Sequence, residues 1–229
     1  MRILPVILGS LSAMTALVRP APAQAELVLS ELIVDLQPGQ QSRDDVEVWN
    51  DSPDRAYVAI EPREIVNAGL ASQSARQDPD PEKLGLLVAP ARMILDPGQR
   101  KLVRIAAMGA PFDREHVYRV TVKPVVGGIR SDASGLKIMV GYDVLVLVRP
   151  AQPLPSVNAA RDGRTITFAN AGNVSVELVD GRQCSLTRQC TPLPGKRLYP
   201  GASWSVQLPS DLPAEYVFKS PGRADRKRF

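Results

Sequence analysis

Short runs in which apolar and polar residues alternate recur along the chain and predict β-strands. Residues 45–49 read Asp, Val, Glu, Val, Trp, and residues 116–123 alternate in the same way, which is the period of a strand with one buried face. Turn residues separate such runs at intervals of roughly ten positions, as in sandwiches of many short strands. In Asp96-Pro97-Gly98, Pro and Gly occupy the positions that a type II turn prefers. The pattern predicts an all-β protein.

The longest alternating segment covers residues 136–148 and predicts one long strand. Its apolar face consists of Leu136, Ile138, Val140, Tyr142, Val144, Val146 and Val148. At about 3.3 Å per residue the segment would extend roughly 40 Å, which is long for a strand of an ordinary sandwich. Either the whole face packs into the core of its own domain, or only the second half does so. In the second case Leu136, Ile138 and Val140 are available to another protein.

The first residues are predicted to be a secretory signal peptide, residues 1–25. A basic Arg2 precedes an apolar run, and Ala23-Gln24-Ala25 is a small-residue cleavage pattern. Pro5 and Gly9 interrupt the run, which is too short for a membrane-spanning helix. We therefore expect an exported protein without membrane insertion.

Two domains are predicted for the remainder of the chain. Arg149-Pro150 ends the long strand and more prolines follow, so we expect a first domain over 26–150 and a smaller second domain over 151–229. The polar residues 67–83 are interpreted as a long surface loop. The basic residues 223–228 are interpreted as a solvated tail.

Charge and cysteine content narrow the functional class. The chain has 28 Lys and Arg against 24 Asp and Glu. The predicted signal peptide carries Arg2 and Arg19 and no acid, so the mature protein has a surplus of only two basic residues. A surplus this small, without a basic stripe, argues against nucleic-acid binding. Cys184 and Cys190 are predicted to form a disulfide, because an exported chain meets an oxidising compartment.

No arrangement of residues predicts catalysis, a metal site or a cofactor. The single histidine, His116, lies in a strand pattern, which leaves little room for a nucleophile with its base or for a metal cluster. The chain has neither a Gly-x-Ser-x-Gly elbow nor a phosphate-binding glycine loop. Asp44 and Asp45 would point to opposite faces of a strand. We therefore predict a binding protein rather than an enzyme.

Five stretches resemble the periplasmic chaperones of the chaperone–usher pathway, which assemble pili. They are Val-Glu-Val-Trp-Asn-Asp at 46–51, Leu-Val-Ala-Pro through Leu-Asp-Pro-Gly-Gln to Val-Arg-Ile at 87–105, Asp-Arg-Glu-His-Val-Tyr-Arg-Val at 113–120, the alternating strand closed by Arg-Pro at 136–150, and Phe-Ala-Asn-Ala-Gly-Asn-Val at 168–174. Each stretch by itself occurs in other β-sandwiches. Together, in this order and behind a signal peptide, they favour the family.

The resemblance implies a boomerang of two immunoglobulin-like β-sandwich domains in the periplasm. Clients of the family are pilus subunits, sandwiches that lack their last strand. The chaperone donates a strand to the client and passes it to an outer-membrane usher. In this chain the donor residues would be Leu136, Ile138 and Val140, whose alternate side chains would fill the client's groove.

One departure from the family concerns the client's C-terminal carboxylate. The family usually anchors it with an arginine of the first strand and a lysine of the donor strand. Here residues 29–36 contain no Arg or Lys, and Leu145 occupies the position of the lysine. Lys123, Lys137 and Arg92 are candidate replacements.

Two further expectations concern alternative partners. An exposed apolar edge tends to pair, so we expect self-association of the client-free protein. The alternative function is a secreted or surface immunoglobulin-like adhesion module without chaperone activity. A pilus subunit is less compatible with the sequence, because a subunit would be one incomplete domain with a donor segment at its N-terminus.

Overall fold

The computed structural model describes residues 27–39, 42–109, 112–125, 139–185 and 189–229. The predicted signal peptide, the predicted donor residues Leu136 and Ile138, and the candidate anchor Lys137 lie outside the described residues. Within these ranges the chain consists of β-strands, turns and one short helix. No helix in the described ranges is long and apolar enough to cross a membrane.

The first ten strands form two sheets that face each other. In chain order the elements are β1 (Leu27–Leu29), β2 (Ile33–Leu36), β3 (Arg43–Asn50), β4 (Ala56–Val66), β5 (Ser74–Arg76), α1 (Pro81–Leu84), β6 (Leu86–Ala89), β7 (Arg92–Leu95), β8 (Arg100–Ala107), β9 (His116–Pro124) and β10 (Tyr142–Val148). One sheet has the order β1-β3-β8-β6, and the other runs β2-β10-β9-β4 with β5 and β7 both paired to β4. The β2–β10 pair is parallel, and the other pairs are antiparallel.

The apolar faces predicted from alternation form the core between these sheets. Alternate side chains of a strand point to one face, so each strand contributes every second residue. The contributing residues of three strands are Val46, Val48, Tyr118, Val120, Val122, Val144, Val146 and Val148. The second half of the predicted long strand is therefore core, as one of the two interpretations required.

The remaining strands form a second sandwich with its own core. They are β11 (Val157–Asp162), β12 (Thr165–Asn170), β13 (Val176–Cys184), β14 (Cys190–Pro192), β15 (Lys196–Leu198), β16 (Ser203–Gln207), β17 (Ala214–Ser220) and β18 (Arg223–Arg228). One sheet has the order β11-β12-β16 and the other β14-β13-β17-β18, with β15 on β13. The all-β prediction with two immunoglobulin-like domains is confirmed.

Aromatic contacts concentrate the second core around Phe168 of β12. Its ring centroid lies 5.2 Å from that of Tyr216, 5.3 Å from that of Phe229 and 5.9 Å from that of Phe218, each in an edge-to-face arrangement. Such pairs stabilise a core beyond the area they bury. A small sandwich gains proportionally more from them, because it buries less of its surface than a large one.

A buried asparagine closes one corner of the first sandwich. The Nδ2 amide of Asn50 donates to the carbonyls of Asp54 at 2.6 Å and Leu95 at 3.1 Å, and its Oδ1 accepts from the Ser52 N–H. The side chain thereby satisfies carbonyls that a bending chain leaves without a strand partner. Gly98, at φ +70°, completes the predicted type II turn opposite this corner, where the Gln99 N–H donates to the Asp96 carbonyl.

The second sandwich repeats this corner with Asn170. Its Nδ2 donates to the carbonyls of Val174 at 2.9 Å and Leu198 at 2.8 Å, while Oδ1 accepts from the Gly172 N–H. Gly201 has φ +82°, and its N–H donates to the Asn170 carbonyl, as that of Gly98 does to Asn50. The two domains therefore solve the same backbone problem with the same residues.

The interpretation of residues 67–83 as a plain surface loop was wrong. This stretch contains β5 and leads into α1. Arg76 accounts for the order, because its guanidinium pairs with Glu64 at 2.6 Å and also donates to the Lys83 and Leu84 carbonyls at the end of α1. One cation thus ties β5, α1 and β4 together, a long-range contact that no local pattern predicts.

The interpretation of residues 223–228 as a solvated tail was also wrong. These residues form β18, paired antiparallel with β17 from Ser220 to Glu215. The C-terminal Phe229 packs on Phe168 and exchanges both backbone hydrogen bonds with Ala214, at 2.9 Å each. Backbone pairing and one aromatic anchor hold the segment, although its side chains are mostly exposed.

Two other predictions meet the structure differently. The predicted disulfide between Cys184 and Cys190 is confirmed, with the two cysteines as register partners in the β13–β14 hairpin. The strand predicted to begin at residue 136 begins at Tyr142, since residues 139–141 are not in a strand. Residues 126–138 lie outside the described ranges.

Candidate functional site

β10 has one neighbour along its whole length and another along only part of it. On one side β9 pairs with every residue from Tyr142 to Val148. On the other side β2 pairs only from Leu145 onward. Residues of β10 before Leu145 therefore have no strand partner on the β2 side, which leaves an open edge of the kind that accepts an added strand.

Exposed apolar side chains mark the two ends of this edge. Val140, just before β10, is 55% exposed. Leu32 and Ile33, where β2 begins, are 50% and 49% exposed. The structure therefore keeps Val140 out of the domain's own core, whereas Val144 is fully enclosed in it.

The outer face of β10 is covered by other parts of the chain instead of solvent. Leu145 and Leu147 are buried in a small cluster with Val117 and Ala68, and Tyr199 of the second domain packs against it. Leu145, the residue at the family's lysine position, is only 6% exposed. The second domain thus rests on an apolar patch where the family has a cation.

A row of register partners crosses the sheet at this level. Ile33 of β2 pairs with Leu145, Leu145 pairs with Arg119 of β9, and Arg119 pairs with Arg63 of β4. Arg63 is held by Thr121 at 2.6 Å and by Asp143 at 2.8 Å. The half-buried Arg119 donates to the Asp143 carbonyl at 3.2 Å and has no ion pair within the described residues. Its position one strand away from Leu145 was missed from the sequence, because register between strands has no local signal.

Arg92 and Lys123, two of the candidate anchors, flank the same residue of the sheet. Ala59 of β4 pairs with Arg92 on one side and with Lys123 on the other. Lys123 pairs with Glu61 at 2.8 Å and packs against Gly141, where an added Cβ would lie 3.0 Å from the Lys123 Cβ. Lys123 is therefore beside the residue that follows Val140, while Arg92 lies two strands further from β10.

Both cations line an open groove of about 970 Å³ on the outer face of β7, β4 and β9. Tyr57, Ile94 and Val125, which are 44–46% exposed, also line it. Three large apolar side chains exposed together on one sheet face are typical of a surface that another protein covers.

A buried ion-pair network joins the two domains where β10 ends. The Arg149 side chain is 4% exposed and binds Asp35 of β2 through two hydrogen bonds, at 2.6 and 2.7 Å. It also pairs with the fully buried Glu115. Burial lowers the pKa of Arg149, but the carboxylates of Asp35 and Glu115 outweigh that effect, so its pKa is raised.

The second domain completes this network. Glu115 accepts from the Ser175 N–H at 2.9 Å and from the Ser175 hydroxyl at 3.1 Å. Asn173 accepts from the Glu115 N–H through its carbonyl, and its side-chain amide donates to the Asp113 and Gln152 carbonyls, each at 2.9 Å. Backbone, hydroxyl and charge thus hold the second domain against the end of β10.

Solved structures with this fold are fimbrial chaperones. The class 5 fimbriae chaperone CfaA has a TM-score of 0.66 and 22% identity, over 88% of this chain and 98% of that one. The SafB chaperone in complex with the SafA pilin of Salmonella enterica has a TM-score of 0.62 and 18% identity, over 91% of this chain and 98% of that one. Both likenesses define a two-domain chaperone fold.

Sequence comparison gives the family. Residues 26–153 match the pili and flagellar-assembly chaperone family through its PapD N-terminal domain. A CFA/I fimbrial subunit of Escherichia coli is 25% identical over 217 residues, which cover 90% of this chain and 89% of that protein. The chain belongs to the family of pilus-assembly chaperones, as the resemblance predicted.

Glu115→Ala should lower the free energy of unfolding by about 3 kcal/mol, because it leaves Arg149 buried with one carboxylate fewer. Urea unfolding followed by tryptophan fluorescence measures the loss, and Trp49 and Trp204 report on the first and the second domain. Glu61→Ala is the matched control, since its exposed pair with Lys123 contributes about 0.5 kcal/mol. Equal losses in the two variants would contradict a structural role of the buried network.

Proposed function

We propose that this protein is a periplasmic chaperone that binds pilus subunits by donating a β-strand and delivers them to an outer-membrane usher. The observation that carries the proposal is the open edge of β10, which β2 covers only from Leu145 onward. Membership of the chaperone family supports the client class. Among the similar structures, the SafB chaperone is in complex with a pilin.

Strand donation needs apolar side chains at alternate positions that the donor's own core does not use. Val140 satisfies this condition, because it is exposed and precedes the first core residues of β10. Leu136 and Ile138 continue the same alternation in the sequence. Each such side chain contributes about 1.5–3 kcal/mol when it is fully buried in a client groove.

An adhesion module, the alternative function, has no use for this edge. Its strands would be closed or blunted against pairing, since an open apolar edge promotes aggregation. An edge flanked by Val140, Leu32 and Ile33 therefore favours the chaperone over the adhesion module.

Val140→Asp should reduce capture of pilus subunits at least about tenfold, because a carboxylate would have to enter the client's apolar groove. The tagged protein is recovered from the periplasm of its native host, and bound proteins are quantified by mass spectrometry. The client-free variant should also sediment as a smaller species than the wild type, if the same edge mediates self-association.

Leu102→Asp is the matched control, because Leu102 on β8 is 56% exposed and lies in the other sheet. It should capture the same pilus proteins in the same amount as the wild type. Loss of capture in both variants, or in neither, would refute the donor assignment and favour the adhesion module.

Arg119 is the cation that we assign to the client's C-terminal carboxylate. A client strand added along the open edge ends where β2 begins to pair, at the level of Ile33 and Leu145. The next residue across the sheet is Arg119, which is half-buried and has no ion pair within the described ranges. Lys123 is already paired with Glu61, and a guanidinium suits bidentate binding of a carboxylate.

Arg119→Gln should weaken client capture about tenfold, since the lost contact is a charge-assisted hydrogen bond. Lys123→Gln and Arg92→Gln, made in parallel, should weaken it much less. Affinities are measured with a captured client and with the same client amidated at its C-terminus. If Arg119→Gln affects both forms equally, or if Lys123→Gln has the larger effect, the anchor is not Arg119.

The groove lined by Tyr57, Ile94 and Val125 is assigned to the usher. It lies on the outer sheet face, whereas the donor edge lies beside β10, so a client and an usher would bind without competing. Its apolar lining with Arg92 and Lys123 at the sides resembles the apolar centre and polar rim of a protein interface.

Ile94→Asp should leave capture of clients unchanged but abolish assembly of the surface structure, because it places a charge in the apolar centre of this groove. Capture is measured as above, and assembly by electron microscopy of cells that depend on the variant. Leu102→Asp again serves as control. Normal assembly with Ile94→Asp would refute the assignment of the groove to the usher.

A further inference from the structure

The basic edge of the second domain, defined here as β18 with its neighbour Lys219, is a second binding surface. β18 is the last strand of the sheet β14-β13-β17-β18. Its sequence is Arg-Ala-Asp-Arg-Lys-Arg. We propose that it binds an extended peptide of alternating apolar and acidic residues, which adds to the sheet as a further strand. The proposal does not depend on strand donation by the first domain.

The hydrogen-bond register shows which backbone groups of β18 are free. Ala214 and Phe229 exchange both of their backbone hydrogen bonds. In an antiparallel pair such bonded positions alternate with non-bonded ones, so Arg228, Arg226 and Ala224 are the non-bonded partners of β17. Their N–H and C=O groups point away from β17, toward the open side where a further strand would bind.

The side chains on the outer face of this edge are cationic and unpaired. Across the same sheet face, Arg182 pairs with Glu215, and Arg197 pairs with Glu177. The acids of the face are thereby used. The cations that remain without an ion pair among the described residues are Lys219, Arg226 and Arg228. The outer side chains of an added strand would meet these cations and must be acidic.

The inner side of the edge has different chemistry. An open groove of about 400 Å³ runs between β18 and β11, the edge strand of the facing sheet. Val157, Val176 and Phe218 line it, and Lys227 lies over the Phe218 ring, 4.8 Å from its centroid. Inner side chains of an added strand would enter this groove and must be apolar. Alternation of apolar and acidic residues therefore follows from the two faces of one edge.

A second copy of this chain does not fit the same edge. Antiparallel pairing of two β18 strands would oppose arginine to arginine, and like charges directly opposite each other are destabilising. Charged side chains on an edge prevent such self-pairing in many sheets. Here they also select the partner, because the free backbone groups still accept a strand of opposite charge.

The test uses the mature protein and a fluorescein-labelled, end-capped peptide of alternating valine and glutamate. Fluorescence anisotropy should show binding that weakens as salt is added, since exposed charge pairs are screened. Arg226→Glu combined with Arg228→Glu should weaken binding at least about tenfold. The control, Arg43→Glu with Lys83→Glu, makes the same change in net charge at exposed positions of the first domain and should bind as the wild type does.

Hydrogen exchange locates the contact. Peptide binding should slow exchange of the Ala224, Arg226 and Arg228 amides, while those of Asp225 and Lys227 are already bonded to β17. A valine–lysine peptide should give no protection. Equal binding by both double variants, protection elsewhere, or binding only to vesicles of phosphatidylglycerol would overturn the proposal. A change of oligomeric state in the β18 variant without peptide binding would overturn it as well.

Discussion

The buried Arg149 side chain determines how the rest of the molecule is arranged. A guanidinium that is 4% exposed must be fully paired, because an uncompensated buried charge strongly destabilises a fold. Its partners come from β2 through Asp35 and from the start of β9 through Glu115, which in turn binds Ser175 of the second domain. One charge therefore fixes the parallel position of β2 on β10 and the docking of the second domain. The length of open edge on β10 follows from that position of β2.

β10 serves three surfaces with one strand. Its inner residues, Val144 and Val146, belong to the core of the sandwich. Its outer residues, Leu145 and Leu147, carry the second domain. Its first residues have no partner on the β2 side. A strand buried on both faces is held rigidly by packing on either side, so the unpaired end projects from a fixed support. A binding edge gains affinity from such support, because little order has to be imposed on it when a partner binds.

The sequence predicted those features that depend on local pattern. Alternation identified the buried residues of β9 and the core half of β10, and the Asp96-Pro97-Gly98 turn followed from residue preferences. The order of β5, the identity of β18 and the row from Ile33 to Arg119 were not predictable. Each depends on contacts between distant segments, namely Arg76 with α1, Phe229 with Phe168, and the register of β2 against β10. The long predicted strand was shortened for a related reason, because alternation does not show whether a partner strand is present.

The two domains share a buried asparagine corner but differ in how they treat their edges. Asn50 and Asn170 make equivalent hydrogen bonds, so the sandwiches close in the same way. The first domain flanks its open edge with Val140, Leu32 and Ile33, whereas the second places Arg226 and Arg228 on its own. Free backbone groups give both edges the same capacity to pair, and only the side chains distinguish what they accept. An apolar edge and a basic edge on one chain can therefore bind two different strands without exchanging them, since neither partner satisfies the side chains of the other site.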